Sequence, residues 1–106
     1  MGKPTSARIE PWSIADRADD LTVRALRQRR KGELRRAAVS LRAACALDEE
    51  NASRWVMLGD VLFRAGKKDE GARALKQAVY LCEQSGHRAK ANVVRRLILN
   101  LARAPE

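Results

Sequence analysis

The chain has 106 residues and a formal net charge of +9, and 45% of its residues are hydrophobic although only 4% are aromatic. This length fits one small domain, and apolar content dominated by Ala and Leu favours thin, closely packed helices. No apolar run reaches the roughly 20 residues of a membrane-spanning helix, and no basic start followed by an apolar stretch indicates a secretory signal. We therefore expect a cytoplasmic protein in which Cys45 and Cys82 stay reduced.

The first segment, residues 1–15, is predicted to be an irregular arm because it contains two prolines and a glycine. Ile9, Trp12 and Ile14 are unusual for a purely disordered tail. They are expected to fold back over the first helix, and docking on a partner is the alternative.

From Asp16 onward the pattern is helical, and no segment has the alternation of a strand. The predicted helices cover about residues 16–31, 34–47, 52–65, 69–83 and 87–103. Gly32 and Gly66 follow the first and third helices, where a positive φ angle permits a tight turn. Asn51 or Ser53 is expected to cap the third helix.

An internal repeat organises these helices, because Gly32 and Gly66 lie 34 residues apart and their neighbours recur with them. The matched pairs are Leu21 with Trp55, Ala25 with Gly59, Ala38 with Ala72, Leu41 with Leu75, Ala44 with Ala78, and Leu47 with Leu81. Arg24 and Gln28 break the match. A period of this length indicates stacked helical repeats, which bind partners more often than they catalyse reactions.

A resemblance to the tetratricopeptide repeat is carried by Trp55-x2-Leu58-Gly59-x2-Leu62, by the turn Gly66-Lys-Lys-Asp69-Glu70, and by Leu75-x2-Ala78. In this pattern Gly59 allows close approach of a neighbouring helix, and Trp55 is a wedge between helices. The chain departs from the family at Gly71, where the family has alanine, and at Leu62, where it has tyrosine.

The resemblance implies an all-α fold, an α-α superhelix of TPR-like helical hairpins. Its two repeats would cover about residues 18–51 and 52–85, and a C-terminal capping helix would cover about 87–103. The domain as a whole would then span residues 16–103. Because about three such repeats are needed for independent stability, the missing burial is expected to come from a homo-oligomer, from a permanent partner, or from the N-terminal arm within the monomer.

The resemblance also implies a concave groove, lined by the first helix of each hairpin, that holds a peptide or helix of a partner. By position, the groove residues of this chain are Leu26, Arg29, Arg30, Val56, Met57, Asp60, Phe63, Arg64 and Lys90. Phe63, the only phenylalanine, lies off the core stripe and is either a contact residue or packed on the first or terminal helix. The mixed apolar and cationic surface predicts a noncatalytic adaptor for an amphipathic, acidic segment.

Two other functions remain open. A small assembly or secretion-system chaperone of the same repeat type would use the same groove. A nucleic-acid-associated protein is suggested by residues 24–42, where eight basic residues accompany the single acid Glu33, although no aromatic residues are interleaved for base stacking. The only histidine, His87, has no convergent partner, so no catalytic, metal or cofactor site is predicted.

Overall fold

The computed structural model describes residues 13–103, of which 85% are helical and none lies in a strand. The five helices are α1 (Ile14–Arg30), α2 (Leu34–Leu47), α3 (Ala52–Arg64), α4 (Lys68–Gln84) and α5 (Arg88–Arg103). The prediction of an all-α fold is confirmed, and every predicted helix end lies within two residues of the observed one. The expectations for residues 1–12 fall outside the described residues. Ile14, expected to lie in the arm and fold back over the first helix, is instead the first residue of α1 and is 61% exposed.

The start of α1 differs from the prediction because Ser13 caps the helix. Its Oγ accepts a hydrogen bond from the Asp16 N–H at 3.1 Å, so the helix begins at Ile14 and not at Asp16. Asn51 caps α3 in the same way, since its Oδ1 accepts from the Arg54 N–H at 3.3 Å. Of the two caps expected for this helix, Asn51 is therefore the one used.

Successive helices pack against one another along the chain, from α1 on α2 to α4 on α5. The connections between them are three or four residues long, so each one reverses the chain direction. The helices α1, α3 and α5 consequently run in the same general direction and place their N-termini at one edge of the molecule. None of the described helices is long and apolar enough to cross a membrane.

Three glycine turns end α1, α3 and α4. Gly32, Gly66 and Gly86 have φ angles of 80°, 84° and 78°. In each turn the following N–H bonds back to a helix carbonyl at 2.8 Å: Glu33 to Gln28, Lys67 to Leu62, and His87 to Cys82. This pattern satisfies carbonyls that a helix end otherwise leaves without partners. The predicted turns at Gly32 and Gly66 are confirmed, and Gly86 has the same geometry.

Two apolar clusters form the core. The first cluster, between the two hairpins, contains Ala25, Ala37, Ala38, Leu41, Cys45, Leu58, Val61, Leu62 and Ala74. The second cluster, between α3, α4 and α5, contains Phe63, Leu75, Ala78, Val79, Cys82, Ala91 and Val94. Trp55 packs against both clusters while its indole Nε1 donates to the Glu49 carbonyl at 2.9 Å. It therefore lies between the helices as the sequence pattern predicted.

Two glycines bring α3 and α4 together. A Cβ on Gly59 would lie 2.5 Å from Leu75 Cγ, and one on Gly71 would lie 2.7 Å from Phe63 Cδ2. Each would also come within 3.0 Å of the other glycine's carbonyl oxygen. The close approach expected at Gly59 is thus present, and it depends on Gly71 as well.

A polar pair joins the two helices of the first hairpin. The Ser40 hydroxyl donates to Gln28 Oε1 at 2.8 Å, and Ser40 is only 6% exposed. The equivalent positions 34 residues later are Leu62 and Ala74, both buried and apolar. The two hairpins therefore share a backbone pattern but have different chemistry at the same interhelical contact.

Candidate functional site

Three of the predicted groove residues meet in one ion cluster between α1 and α3. Arg29 Nη1 lies 3.5 Å from Asp60 Oδ2. Arg64 Nε, one helical turn further along α3, donates to both Asp60 oxygens at 3.1 Å. A single carboxylate is therefore shared by two guanidinium groups that come from different hairpins.

The cations of this cluster remain accessible to solvent. The side chains of Arg29 and Arg64 are 38% and 61% exposed, while Asp60 is 21% exposed. Arg30, the last residue of α1, is also exposed and makes no ion pair with any of the described residues. The neighbourhood of Asp60 thus carries more positive than negative charge.

Apolar groups accompany the ion cluster. Leu26, Val56 and Met57 are half-buried. Met57 packs against the first cluster and Val56 against the second. Part of each side chain is therefore buried and part is exposed to solvent. The combination of partly exposed apolar groups and accessible guanidinium groups suits an amphipathic ligand.

The structure corrects the expectation that Phe63 offers a free contact in the groove. Its ring is only 9% exposed, and it belongs to the second cluster with Ala91 and Val94 of α5. The alternative expectation, packing against the terminal helix, describes its position. The ring also fills the space beside Gly71, so Phe63 is a core residue.

An open cleft of about 670 Å³ separates α3 from α5 and contains the last groove candidate. Val56 and Lys90 both line it, together with Val93, which is 63% exposed. At its rim are Asp48 and Glu50 of the connection before α3. The predicted residues therefore fall into two regions, one around Asp60 and one around this cleft.

Sequence reasoning missed Arg54, which links the two hairpins. The Arg54 side chain is 8% exposed; its Nε donates to Thr22 Oγ1 at 3.0 Å and its Nη1 to Asp48 Oδ2 at 2.6 Å. Its Nη2 pairs with Asp19 of α1. The burial of Arg54 could have been predicted from its spacing. It precedes the buried Leu58 and Val61 by four and seven residues, and therefore lies on the same face of α3.

The two cysteines are free and buried. Desolvation by burial raises the pKa of the Cys45 thiol from 9.0 to about 11, with a smaller lowering by Arg54 and a smaller raising by Asp48. The thiol therefore stays protonated at neutral pH and packs as a small apolar group. Within residues 13–103, no group of three or more His, Cys, Asp or Glu side chains is arranged to hold a metal ion.

No protein-family model matches this chain, and neither a curated protein nor a solved structure matches it. Membership of the tetratricopeptide family therefore stays a prediction from the residues of the repeat.

Proposed function

We propose that the chain is a noncatalytic protein-interaction module of the tetratricopeptide type, acting as an adaptor in the cytoplasm. Its concave face, formed by α1, α3 and α5, binds an amphipathic, acidic segment of a partner. The observation that carries this proposal is the convergence of Arg29 and Arg64 on the one carboxylate of Asp60, beside half-buried Leu26 and Met57.

The charge balance of this cluster favours an acidic ligand. Asp60 satisfies two guanidinium groups only in part, since the Arg29 contact is 3.5 Å long and Arg64 is largely exposed. A carboxylate of a partner would complete the hydrogen bonds of both groups. Exposed ion pairs contribute roughly 0–1 kcal/mol each, so they select and orient the ligand while apolar contact supplies most of the affinity.

Affinity capture from native lysate tests the proposal. The charge-reversal variant Arg29→Glu/Arg64→Glu is expected to lose the partner that the wild type retains. The matched control is Arg35→Glu/Arg36→Glu, which makes the same charge change on exposed residues of α2. Equal recovery by the groove variant and the wild type would show that the groove is assigned wrongly, and so would equal loss by the control.

A nucleic-acid ligand is the second candidate, and the exposed cations of the first hairpin favour it. Arg24, Arg27, Arg30, Lys31 and Arg35 are exposed and make no ion pair with the described residues. Nuclease treatment of the captured material separates the two candidates, because a nucleic-acid partner would be released and a protein partner retained. Binding that falls steeply with salt would also support this candidate.

The expectations of a chaperone function and of a homo-oligomer both depend on the same concave face. An assembly or secretion-system chaperone would hold an aggregation-prone helix on the same surface, and it would be distinguished by protection of that partner from aggregation. A homo-oligomer would bury more of the repeat faces than the single chain does. Sedimentation of the pure protein distinguishes this arrangement from a monomer.

A further inference from the structure

We propose that the concave face fixes the direction of the partner helix, which rests on the proposed function above. The partner helix lies antiparallel to α1, α3 and α5. It carries acidic residues toward its N-terminus and basic residues toward its C-terminus. The inference follows from the opposite charges at the two ends of the face.

The basic end of the face lies where α1 and α3 finish. Arg29 and Arg64 pair with Asp60 there, and the exposed Arg30 is the last residue of α1, so these four residues carry a net charge of plus two. The two helix C-termini do not neutralise this charge, because each contributes only a fraction of an elementary charge and is already bonded through its glycine turn.

The acidic end of the face lies where α1 and α3 begin. Asp19, Asp48 and Glu50 provide three carboxylates there. The buried Arg54 guanidinium pairs with Asp19 and Asp48, and Lys90 lies across the cleft, so these five residues together carry one negative charge in excess. The Asp19 side chain is 68% exposed despite its pairing with Arg54, so its carboxylate is within reach of a ligand.

The length of α3 sets the separation of the two ends. Its 13 residues span about 20 Å. Between the ends lie the partly exposed Leu26, Met57 and Val56, and then the cleft beside Val93. A complementary ligand is therefore a helix of about four turns with an apolar stripe, and its opposite charges lie about 20 Å apart.

The intrinsic charge preference of helices selects the antiparallel direction. Acidic residues stabilise a helix near its N-terminus and basic residues near its C-terminus. In α1 this order is visible, with Asp16 in the first turn and Arg27, Arg29 and Arg30 in the last. A partner helix with the same order meets opposite charge at both ends only when it runs antiparallel to α1.

Two synthetic peptides of about 16 residues test the direction. They share one composition and one apolar stripe, but one places Glu before Lys along the chain and the other places Lys before Glu. The Glu-first peptide is expected to bind about tenfold more tightly at low salt, with the ratio shrinking as salt screens the charges. Fluorescence anisotropy measures both affinities against the full chain.

A difference in helicity between the two peptides would also change their affinities. Variants of the protein separate this effect from that of the charges on the concave face. The variant Arg29→Gln/Arg30→Gln/Arg64→Gln is expected to reduce the ratio of the two affinities to near one. The control Arg35→Gln/Arg36→Gln is expected to preserve it, because these arginines lie on α2. A ratio that the first variant leaves unchanged would overturn the proposed direction.

Paramagnetic broadening then reports the orientation directly. A nitroxide at the N-terminus of the Glu-first peptide is expected to broaden amide signals near Gly66, and one at the C-terminus to broaden signals near Asn51. The reverse pattern, or equal binding of the two peptides, would refute the direction while leaving the groove intact. Failure of both peptides to bind would overturn the proposed function together with this inference.

Discussion

The ring of Phe63 covers the backbone of Gly71, and a Cβ at that glycine would lie 2.7 Å from the ring's Cδ2. Thirty-four residues earlier the equivalent positions are Arg29 and Ala37. Ala37 is fully buried, whereas Arg29 extends toward Asp60 and is 38% exposed. A Cβ is therefore tolerated in the first hairpin, whereas in the second it would meet the Phe63 ring and also the Gly59 carbonyl oxygen at 3.0 Å.

The substitution Gly71→Ala is expected to lower the free energy of unfolding by about 1–3 kcal/mol, because the new methyl group overpacks the contact with Phe63. This loss would occur although Ala is intrinsically the better helix former. In the Phe63→Leu background the same substitution should cost less, since the ring is gone. A double-mutant cycle by urea denaturation measures the coupling, and strictly additive effects would contradict it.

The substitution Arg54→Met is expected to destabilise the chain by about 1–3 kcal/mol, because it removes charge-assisted hydrogen bonds to Asp19 and Asp48. The loss stays below that of a fully buried pair, since both carboxylates remain in contact with water. The exposed Arg35→Met is the control and should change stability little. Equal effects of the two substitutions in urea denaturation would show that the cluster does not stabilise the fold.

The substitution Gly66→Ala is expected to cost about 1–2 kcal/mol, because its φ angle of 84° disfavours any residue with a Cβ. The cost is conformational and not steric, since nothing lies within 4 Å of an added Cβ. Gly66→Asn should cost less, because Asn tolerates this region better. Thermal denaturation compares the two variants, and an equal loss for both would argue against this explanation.

Stability is expected to decrease between pH 9 and pH 11 as the Cys45 thiol ionises in the unfolded chain before it does so in the folded one. Burial raises its folded pKa to about 11 from 9.0, so its contribution is fully present below pH 9 and is lost above it. The loss at pH 11 is roughly 2 kcal/mol. Cys45→Ala should flatten this part of the pH profile, and identical profiles for the two proteins would disprove the assignment.

Most of the fold follows from local signals in the sequence. The glycines at positions 32 and 66 require a positive φ, and the apolar residues between them recur at helical spacing, so helices and turns could be placed closely. The start of α1 was placed two residues late, at Asp16, because an acidic residue also suits a helix N-terminus, whereas Ser13 supplies the cap. The sequence pattern did not distinguish these two capping arrangements.

The site was harder to predict because it depends on contacts between hairpins. Phe63 lies off the stripe that Leu58 and Leu62 share, and its burial arises only when α5 packs against α3 and α4. The pairing of Arg54 with Asp19 joins residues 35 positions apart and has no local signal. The cluster at Asp60 was located through the repeat period, but its shared carboxylate depends on how α1 and α3 align.

The hydrogen bond between the buried Ser40 and the half-buried Gln28 distinguishes the first hairpin from the second. If α1 paired with α4 during folding, Gln28 would face Ala74 in place of Ser40, and its amide would lose its partner. Because Gln28 is half-buried, the loss of this partner costs about 1 kcal/mol, which disfavours such swapped pairings roughly fivefold. We expect Gln28→Leu/Ser40→Ala to remove this difference between the hairpins. The variant should form more misassembled or exchanged dimers on refolding, which size-exclusion chromatography would show. One interhelical contact that differs between two similar hairpins thus favours the correct pairing of their helices.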